Sequence, residues 1–571
     1  MGYGATRSLE RVAAAMGELE AAPILFEAAR DIPQGGVLLA LPVLLAVGLL
    51  RHSTELYALP KGFYGLSSVF VLLALMALAR IVSLEQLRYA AAGEWGNLLG
   101  LDRVPEVRTL REKLKLLCAE VGQAARWNAA LAKEWIAQHE TEQSSGLAFY
   151  IDGHVRVYHG KLTKLPRHYV PRERFYLRAT VDYWVNALDG QPFFYVNKEV
   201  DHGLVQAMRG EILPWLEANV PVSAEHQCRM AADPRVPRFT VIFDREGYSP
   251  ELFLELRKER MAALTYHRYP EGEAWRAEEF QEQAVKLASG ETVRMKLAER
   301  GTHVGKRPGL WVREVRKLAA DGHQVSIVST NFSGDAASQA VALMARWSQE
   351  NFFKYMHGHF GLDALVQYGT EQIPATVTVL NPAWREADRE VRKKNAELKR
   401  YQQLRGDVTL AQPLSEAVVR HYEQHQGQLQ ERIEQLQPVL DELKKQRKQT
   451  PCQIPVKDLP EPDRFTRLRT ERKYFIDTIK MVAYRAETSM AATVREKLAR
   501  SDDARALLRQ IYSTEVDLIP NLNAQTLTVC LHHLTQAAHD AAARYLCEEL
   551  TATETTFPGT NLRLIFKLGS A

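Results

Sequence analysis

Three acidic residues stand in settings that could make one metal site. Asp152 follows the apolar run Leu147–Ile151, Asp244 follows the apolar run Phe239–Phe243, and Glu350 lies in a long helical stretch between Arg346 and Lys354. Carboxylates from two strand ends and one helix can hold a pair of divalent cations about 3.5–4 Å apart for phosphoryl chemistry. If the three converge, the chemistry is the cutting and joining of nucleic acid. Taken singly, a strand-end Asp before a turn is often only a turn residue. Glu350 is four residues after Arg346, a spacing that also describes a plain surface ion pair.

Cationic and aromatic residues follow Asp152 directly. Arg156, Lys161, Lys164, Arg167, Arg172, Arg174 and Arg178 are interleaved with Tyr158, Tyr169, Phe175 and Tyr176, against one acid, Glu173. Cations for phosphates and ring faces for bases suit DNA binding; a solvated basic loop is the plainer alternative. A weaker basic cluster comprises Arg464, Arg467, Arg469, Arg472 and Lys473. His421/His425 and Cys530/His532/His533 have metal-like spacing without a completing ligand in sequence.

The elements that must position these residues follow from local pattern. Leu147–Ile151 reads as a strand, and Asp189-Gly190 as a hairpin turn between strands Tyr176–Leu188 and Gln191–Val200. Leu204–Val220 is helical, and Phe239–Phe243 is a continuous apolar strand of the buried type. Ser249-Pro250-Glu251 supplies cap, first-turn proline and first-turn acid for a helix, and Ala262–Tyr266 makes the next strand. Three antiparallel strands, helix, strand, helix, strand is a mixed sheet in which the first and fourth strands are neighbours. Asp321-Gly322 marks another hairpin, in a β-rich insertion over about 271–330, after which a helix resumes near Ser333 and runs through Glu350 to about Phe360.

The flanks read as helical. Residues 1–140 contain the apolar runs Gly36–Leu50 and Gly65–Ile81, then a turn region and the basic amphipathic segment Glu106–Leu117. The latter outline fits a helix-turn-helix or an ordinary helix pair. Both apolar runs fall short of the ~20 residues of a membrane span, so buried helices are expected, with a membrane hairpin as the alternative. The first 30 residues lack the apolar core of a signal peptide. Residues 381–450 are charged and helical; Val419 to Leu443 form a 3–4 ladder of a helix pair, which Pro438 should kink or end. Residues 464–550 read as helical, with a final strand over Leu562–Leu568.

A chain of 571 residues exceeds one core. The expected division is 1–140, 141–380, 381–450 and 451–571. With 73 basic and 69 acidic residues the net charge is only +4, which excludes a globally basic coating protein and makes any nucleic-acid surface local. The five scattered cysteines support neither disulfides nor a zinc ribbon, and fit a reducing cytoplasm.

With these residues in view, the chain resembles bacterial insertion-sequence transposases of the DDE type. The matching segments are Phe149–His154 around Asp152, Val241–Tyr248 around Asp244, and Arg346–Lys354 around Glu350. The likeness spans roughly residues 50–380. Arg346 and Glu350 keep the spacing of the signature Y-x(2)-R-x(3)-E-x(6)-K; Leu343 stands for its Tyr, His357 for its Lys, and Lys354, one turn earlier, is the candidate substitute.

The resemblance implies a multidomain α+β/α protein, a ribonuclease-H-like mixed sheet with a β-rich insertion between N- and C-terminal helical domains. It implies that Asp152, Asp244 and Glu350 bind two Mg²⁺, with Mn²⁺ as a substitute, for end cleavage and 3′-hydroxyl transfer. Arg346 and Lys354, with the basic run, would contact double-stranded DNA at terminal inverted repeats and target. It implies a homodimer in the DNA complex, located on the bacterial nucleoid without a membrane. The alternative is a transposase descendant that binds DNA but has lost catalysis.

Overall fold

The computed structural model describes residues 5–569 except 143–146, 161–162, 171–172, 199, 271–273, 287–291, 307–308, 345–346, 365–368 and 408–415; at 140–142, 286, 347, 462 and 501 it describes the backbone alone. The chain forms two units. The first comprises Met1–Val157, Thr180–Gly369 and Arg469–Ala571; the second comprises Tyr158–Ala179 and Thr370–Leu468. This differs from the four consecutive segments expected from sequence. N- and C-terminal elements pack into the core of the first unit instead of standing apart. Tyr57, Phe70, Trp127 and Phe475 form one ring cluster with centroids 5.2–5.8 Å apart.

The first unit is built on a mixed sheet. β1 (Leu147–Val157), β2 (Phe175–Asn186) and β3 (Pro192–Lys198) are followed by helical turns over residues 204–219, then β4 (Phe239–Phe243), helix α1 (Pro250–Lys258) and β5 (Met261–Tyr266). β1 exceeds the expected strand by running on through Val157, with His154 and Arg156 buried and Val155 and Val157 half-buried. Gly190 takes φ +88° in the β2–β3 turn, the conformation that the Asp-Gly pair favours. Ser249 Oγ accepts from Leu252 N at 3.3 Å, capping α1 as its sequence predicts.

The expected insertion extends this sheet. Strands β6 (Gln281–Lys286), β7 (Thr292–Val304), β8 (Leu310–Leu318) and β9 (Gln324–Ser329) give the order β3-β2-β1-β4-β5-β9-β8-β7-β6. β1, β4 and β5 run parallel, and β9 joins β5 antiparallel. Helices α2 (Ala336–Met344) and α3 (Trp347–Phe360) follow.

The apolar run Gly65–Ile81 becomes helix Leu66–Leu78, whose residues Val69 to Leu78 are all buried. Among the described residues no helix is long and apolar enough to cross a membrane. The basic segment becomes helix Val107–Leu117, which buries Val107, Leu110, Leu114 and Leu117.

The second unit contains the charged helix pair, α4 (Pro382–Asp407) and α5 (Glu416–Gln449). Val391 and Leu398 pack with Ile433, Leu436, Leu440 and Leu443. Arg447 Nη1 lies 2.7 Å from Asp388 Oδ1 at one end, and Arg405 bonds Gln426 and Gln430 at the other, so the helices are antiparallel. Pro438 neither ends nor divides α5. It is exposed, and the apolar seam on both sides of it outweighs the one missing backbone hydrogen bond.

The C-terminal part of the first unit is not all helical. Helices α6 (Glu471–Arg495) and α7 (Ala504–Ser513) precede strands β10 (Val516–Asn521) and β11 (Thr526–Leu531), and β12 (Arg563–Leu568) closes the chain. A strand from the N-terminal region, Ala29–Ile32, joins them in the order Ala29–Ile32, β10, β11, β12. Val516, Leu518, Leu527, Val529 and Leu531 point into the core, an alternation that overrides the helical reading of this region.

Candidate functional site

Two of the three expected acids lie at one level of the sheet, Asp152 within β1 and Asp244 just past the end of β4. β1 and β4 are neighbouring parallel strands in the register Ile151↔Phe243. The next residues are Asp152 and Asp244, both half-buried. Asp152 Oδ1 accepts from Gly153 N at 2.9 Å. Asp244 Oδ1 accepts from Glu246 N at 2.8 Å, and Thr265 Oγ1 holds the Asp244 carbonyl at 3.0 Å. The turn-residue reading is met for Asp244, which caps the turn after β4; Asp152 instead lies inside β1, which runs on to Val157, so the expected strand end at Asp152 is corrected. Gly247 is required in this turn, because a Cβ there would lie 2.4 Å from the Phe243 ring.

Two further acids, not singled out from sequence, belong to the same group. Burial and the negative charges of Asp244, Asp201 and Asp152 push the Glu246 carboxyl up to about 7. Asp201 accepts from the Tyr183 hydroxyl and from Gly203 N, both at 2.8 Å. Burial, then the charges of Asp201 and Glu246, hold the Tyr183 hydroxyl in its neutral form. The available signal was Asp244-Arg-Glu246: an acid two residues after a strand-end acid returns to the same turn. Asp201 had only the Asp-x-Gly turn pattern. Among the described residues, three ligating side chains come within 4.8 Å of one another at Asp31, Asp517 and His532, in the C-terminal sheet, and not at these acids.

Glu350 is exposed, in the first turn of α3. The helix buries Gln349, Phe352, Phe353, Met356 and Phe360. Gln349 Nε2 donates to Asn186 Oδ1 at 2.9 Å, fastening the start of α3 to the end of β2. Phe353 stacks on His154 with centroids 5.0 Å apart and planes at 11°. His154 is two residues after Asp152, on the same side of β1. Glu350 is one turn before Phe353 on α3. Lys354 and His357 are exposed on the same helical face as Glu350.

Asp363 ties this region together. Its Oδ1 is 2.5 Å from His154 Nε2, and its Oδ2 is 2.7 Å from His357 Nδ1. Although burial opposes ionisation, the His154 hydrogen bond and the charges of His154, His357 and Arg156 hold Asp363 below the usual carboxylate range. Leu343 is wholly buried in an apolar cluster with Tyr150, Ile242 and Ala340. Arg346 lies outside the described residues.

The basic run divides. Arg156 is not a surface cation: its side chain is 1 % exposed and bonds both oxygens of buried Asp182 at 2.7–2.8 Å. A long strand with inward-facing even positions placed it in the core, where a guanidinium needs a carboxylate. Lys164, Arg167 and Arg174 are exposed in the second unit, while Lys161 and Arg172 lie outside the described residues. There the strand Arg167–Val170 pairs with Phe175–Arg178, and Tyr169 faces Tyr176 with rings 5.4 Å apart. Tyr169, Phe175 and Tyr176 are 48 %, 68 % and 58 % exposed, an uncommon display for aromatic side chains. The cluster from Arg464 to Lys473 is largely engaged: Arg467 pairs with Glu371 at 2.7 Å, and Lys473 is buried against Asp477. His532 differs from its solitary appearance in sequence, meeting Asp517 at 3.0 Å and Asp31 at 3.9 Å.

A family model described as "Transposase protein" matches residues 2–570, and the chain belongs to that family of transposases. No curated protein matches it significantly. Membership carries a DNA-binding, DNA-cleaving and DNA-joining role in general terms; the residues responsible are a matter for the geometry above.

Proposed function

We propose that this transposase is of the DDE type, with a ribonuclease-H-like catalytic sheet and Asp152, Asp244 and Glu350 as its catalytic acids. The observation that carries this reading is the register of β1 against β4, which sets Asp152, on β1, level with Asp244, the residue after β4. The strand order β3-β2-β1-β4-β5, with β4 and β5 parallel to β1, supports it. So does the crowding of negative charge that lifts Glu246. Two Mg²⁺, or Mn²⁺ in their place, suit these oxygens. Bound there, the pair would supply activation of the attacking oxygen and charge neutralisation at the leaving oxygen.

The remaining roles fall to the chain's own residues. Asp152 offers oxygens from within β1, Asp244 from the turn after β4, and Glu350 one from a packed helix. Lys354, beside Glu350, contacts a DNA phosphate, and Arg346 has the same assignment. In the second unit, Lys164, Arg167 and Arg174 bind backbone phosphates, and Tyr169, Phe175 and Tyr176 stack on unpaired bases. The substrate is double-stranded DNA carrying the element's terminal repeats, and the active form on DNA is a homodimer joining two ends. The test is metal-dependent nicking of such DNA. The wild-type protein should nick with Mg²⁺ and stop on chelation, and Asp244→Asn should lose more than about 100-fold while still binding the duplex.

A second reading has its own observation. Leu343 is locked in the core, and His357 is committed to Asp363, so neither supplies the Tyr hydroxyl or the free Lys ammonium of the signature. On that reading the protein binds element ends without cutting them. Duplex binding with no strand cleavage under any divalent cation would select it.

A further inference from the structure

Helix α3 borders a second charged site. At roughly 100° per residue, Tyr355 and His359 lie beside the exposed face that carries Glu350, Lys354 and His357. Three arginines converge there from two other elements. Arg80 follows helix Leu66–Leu78 in a left-handed conformation, φ +63°. Arg505 and Arg509 lie one turn apart on α7.

Arg80 and Arg505 share the carboxylate of Glu487, on α6, whose side chain is 0 % exposed. Arg80 Nη2 lies 2.6 Å from Glu487 Oε2 and 3.0 Å from the Tyr355 hydroxyl. Arg505 Nη1 donates to Glu487 Oε1 at 3.1 Å, and its Nη2 to Thr488 Oγ1 at 2.8 Å. Tyr355 donates to Glu487 as well. Arg509 reaches only the Tyr355 hydroxyl, at 3.5 Å. Arg80 Nε is buried without a partner.

A structural ion pair balances one cation with one carboxylate. Here, among the described residues, Arg80 and Arg505 share one carboxylate and Arg509 pairs with none, which leaves two positive charges in excess at a partly buried place. Burial, then the fields of Arg80 and Arg509, lower the pKa of adjacent His359. Such an excess is costly unless an anion completes it. The planar forks of several guanidiniums match the oxygens of a phosphate.

We infer that Arg80, Arg505 and Arg509 form a phosphate-binding site at the edge of α3, in which Glu487 and Tyr355 hold Arg80 and Arg505 in place and Arg509 is free to close on the ligand. A DNA backbone phosphate and a free phosphate share this chemistry. The DNA source rests on the transposase reading above.

The experiment uses the full chain and the variants Arg509→Ala and Arg509→Lys. Thermal unfolding is followed with inorganic phosphate or pyrophosphate against chloride at equal ionic strength. Duplex affinity is measured over a salt series. The expected result is stabilisation of the wild type by phosphate, lost in Arg509→Ala and largely kept in Arg509→Lys. Duplex affinity of Arg509→Ala should fall about tenfold, with a salt slope smaller by about one. Loss of phosphate stabilisation with unchanged duplex affinity and slope would assign the site to free phosphate and overturn the DNA source. Phosphate stabilisation and duplex affinity both unchanged in Arg509→Ala would overturn the site. Asp244→Asn run in parallel separates the two claims: normal nicking by that variant removes the catalytic assignment and leaves the arginine result standing.

Discussion

Asp152 and Asp244 occupy equivalent positions on neighbouring parallel strands, each one residue beyond the paired Ile151 and Phe243. Each carboxylate accepts a hydrogen bond from its own local backbone, Asp152 within β1 and Asp244 in the turn after β4. The local bonds orient the carboxylates, and the register brings them to one place.

The acid cluster predicts how stability depends on pH and metal. Glu246 is raised from its usual range to about 7, so its contribution is fully present below about pH 4.5 and lost as the pH rises through 7. Metal-free protein should therefore lose thermal stability across that window. Mg²⁺ should restore it, and Glu246→Gln should flatten the metal-free profile. A melting temperature without pH dependence in this range, equal in both proteins, would count against the cluster.

Arg156 and Asp182 predict a structural effect in place of a DNA effect. Both are buried and bonded to each other. Arg156→Ala leaves a buried carboxylate with less compensation and should cost about 3–5 kcal/mol in denaturant unfolding. Under folding conditions, the salt slope of duplex binding should stay unchanged. A reduced slope with unaltered stability would return Arg156 to the DNA-binding set.

The exposed hairpin of the second unit predicts the opposite pattern. Tyr169→Ala or Tyr176→Ala should weaken single-strand binding by about 1–3 kcal/mol at most, with folding intact. Arg167→Ala should reduce the salt slope by about one. Anisotropy titrations at several salt concentrations measure both.

Glu314 predicts acid sensitivity in the extended part of the sheet. Burial opposes its ionisation, but bonds with His267, Ser326 and Arg316 depress its carboxyl to about 2. A depressed acid stabilises above its unfolded value of about 4.5 and loses that contribution as the pH falls toward 2, on the order of 3 kcal/mol in all. Glu314→Gln should be less stable at neutral pH and lose less on acidification. Hydrogen exchange of the Leu310–Ser329 hairpin would show it.

Signals carried by neighbours in sequence were legible. Asp189-Gly190 and Asp321-Gly322 give the two hairpins, and Ser249-Pro250 gives the start of α1. The alternation of apolar and turn residues gives the strands that bear Asp152 and Asp244. What depends on distant partners was not legible. Ala29–Ile32 pairs with β10 nearly five hundred residues away, and Trp127 meets Phe475. Val516–Leu531 has the alternation of strands, but its setting among helices concealed it. Pro438 shows a local rule overridden by packing on α4. Arg156 read as a DNA contact because charge and spacing do not reveal which face of a strand is buried.

The most direct test of the metal assignment is anomalous scattering from crystals of the protein grown with Mn²⁺ and DNA ends. The account predicts Mn²⁺ within ligand distance of both Asp152 and Asp244, near 2.0–2.2 Å as for a hard cation of this size, with Glu350 completing the site. Mn²⁺ bound elsewhere, with the oxygens of Asp152 and Asp244 more than about 10 Å apart and outside any coordination sphere, would contradict it.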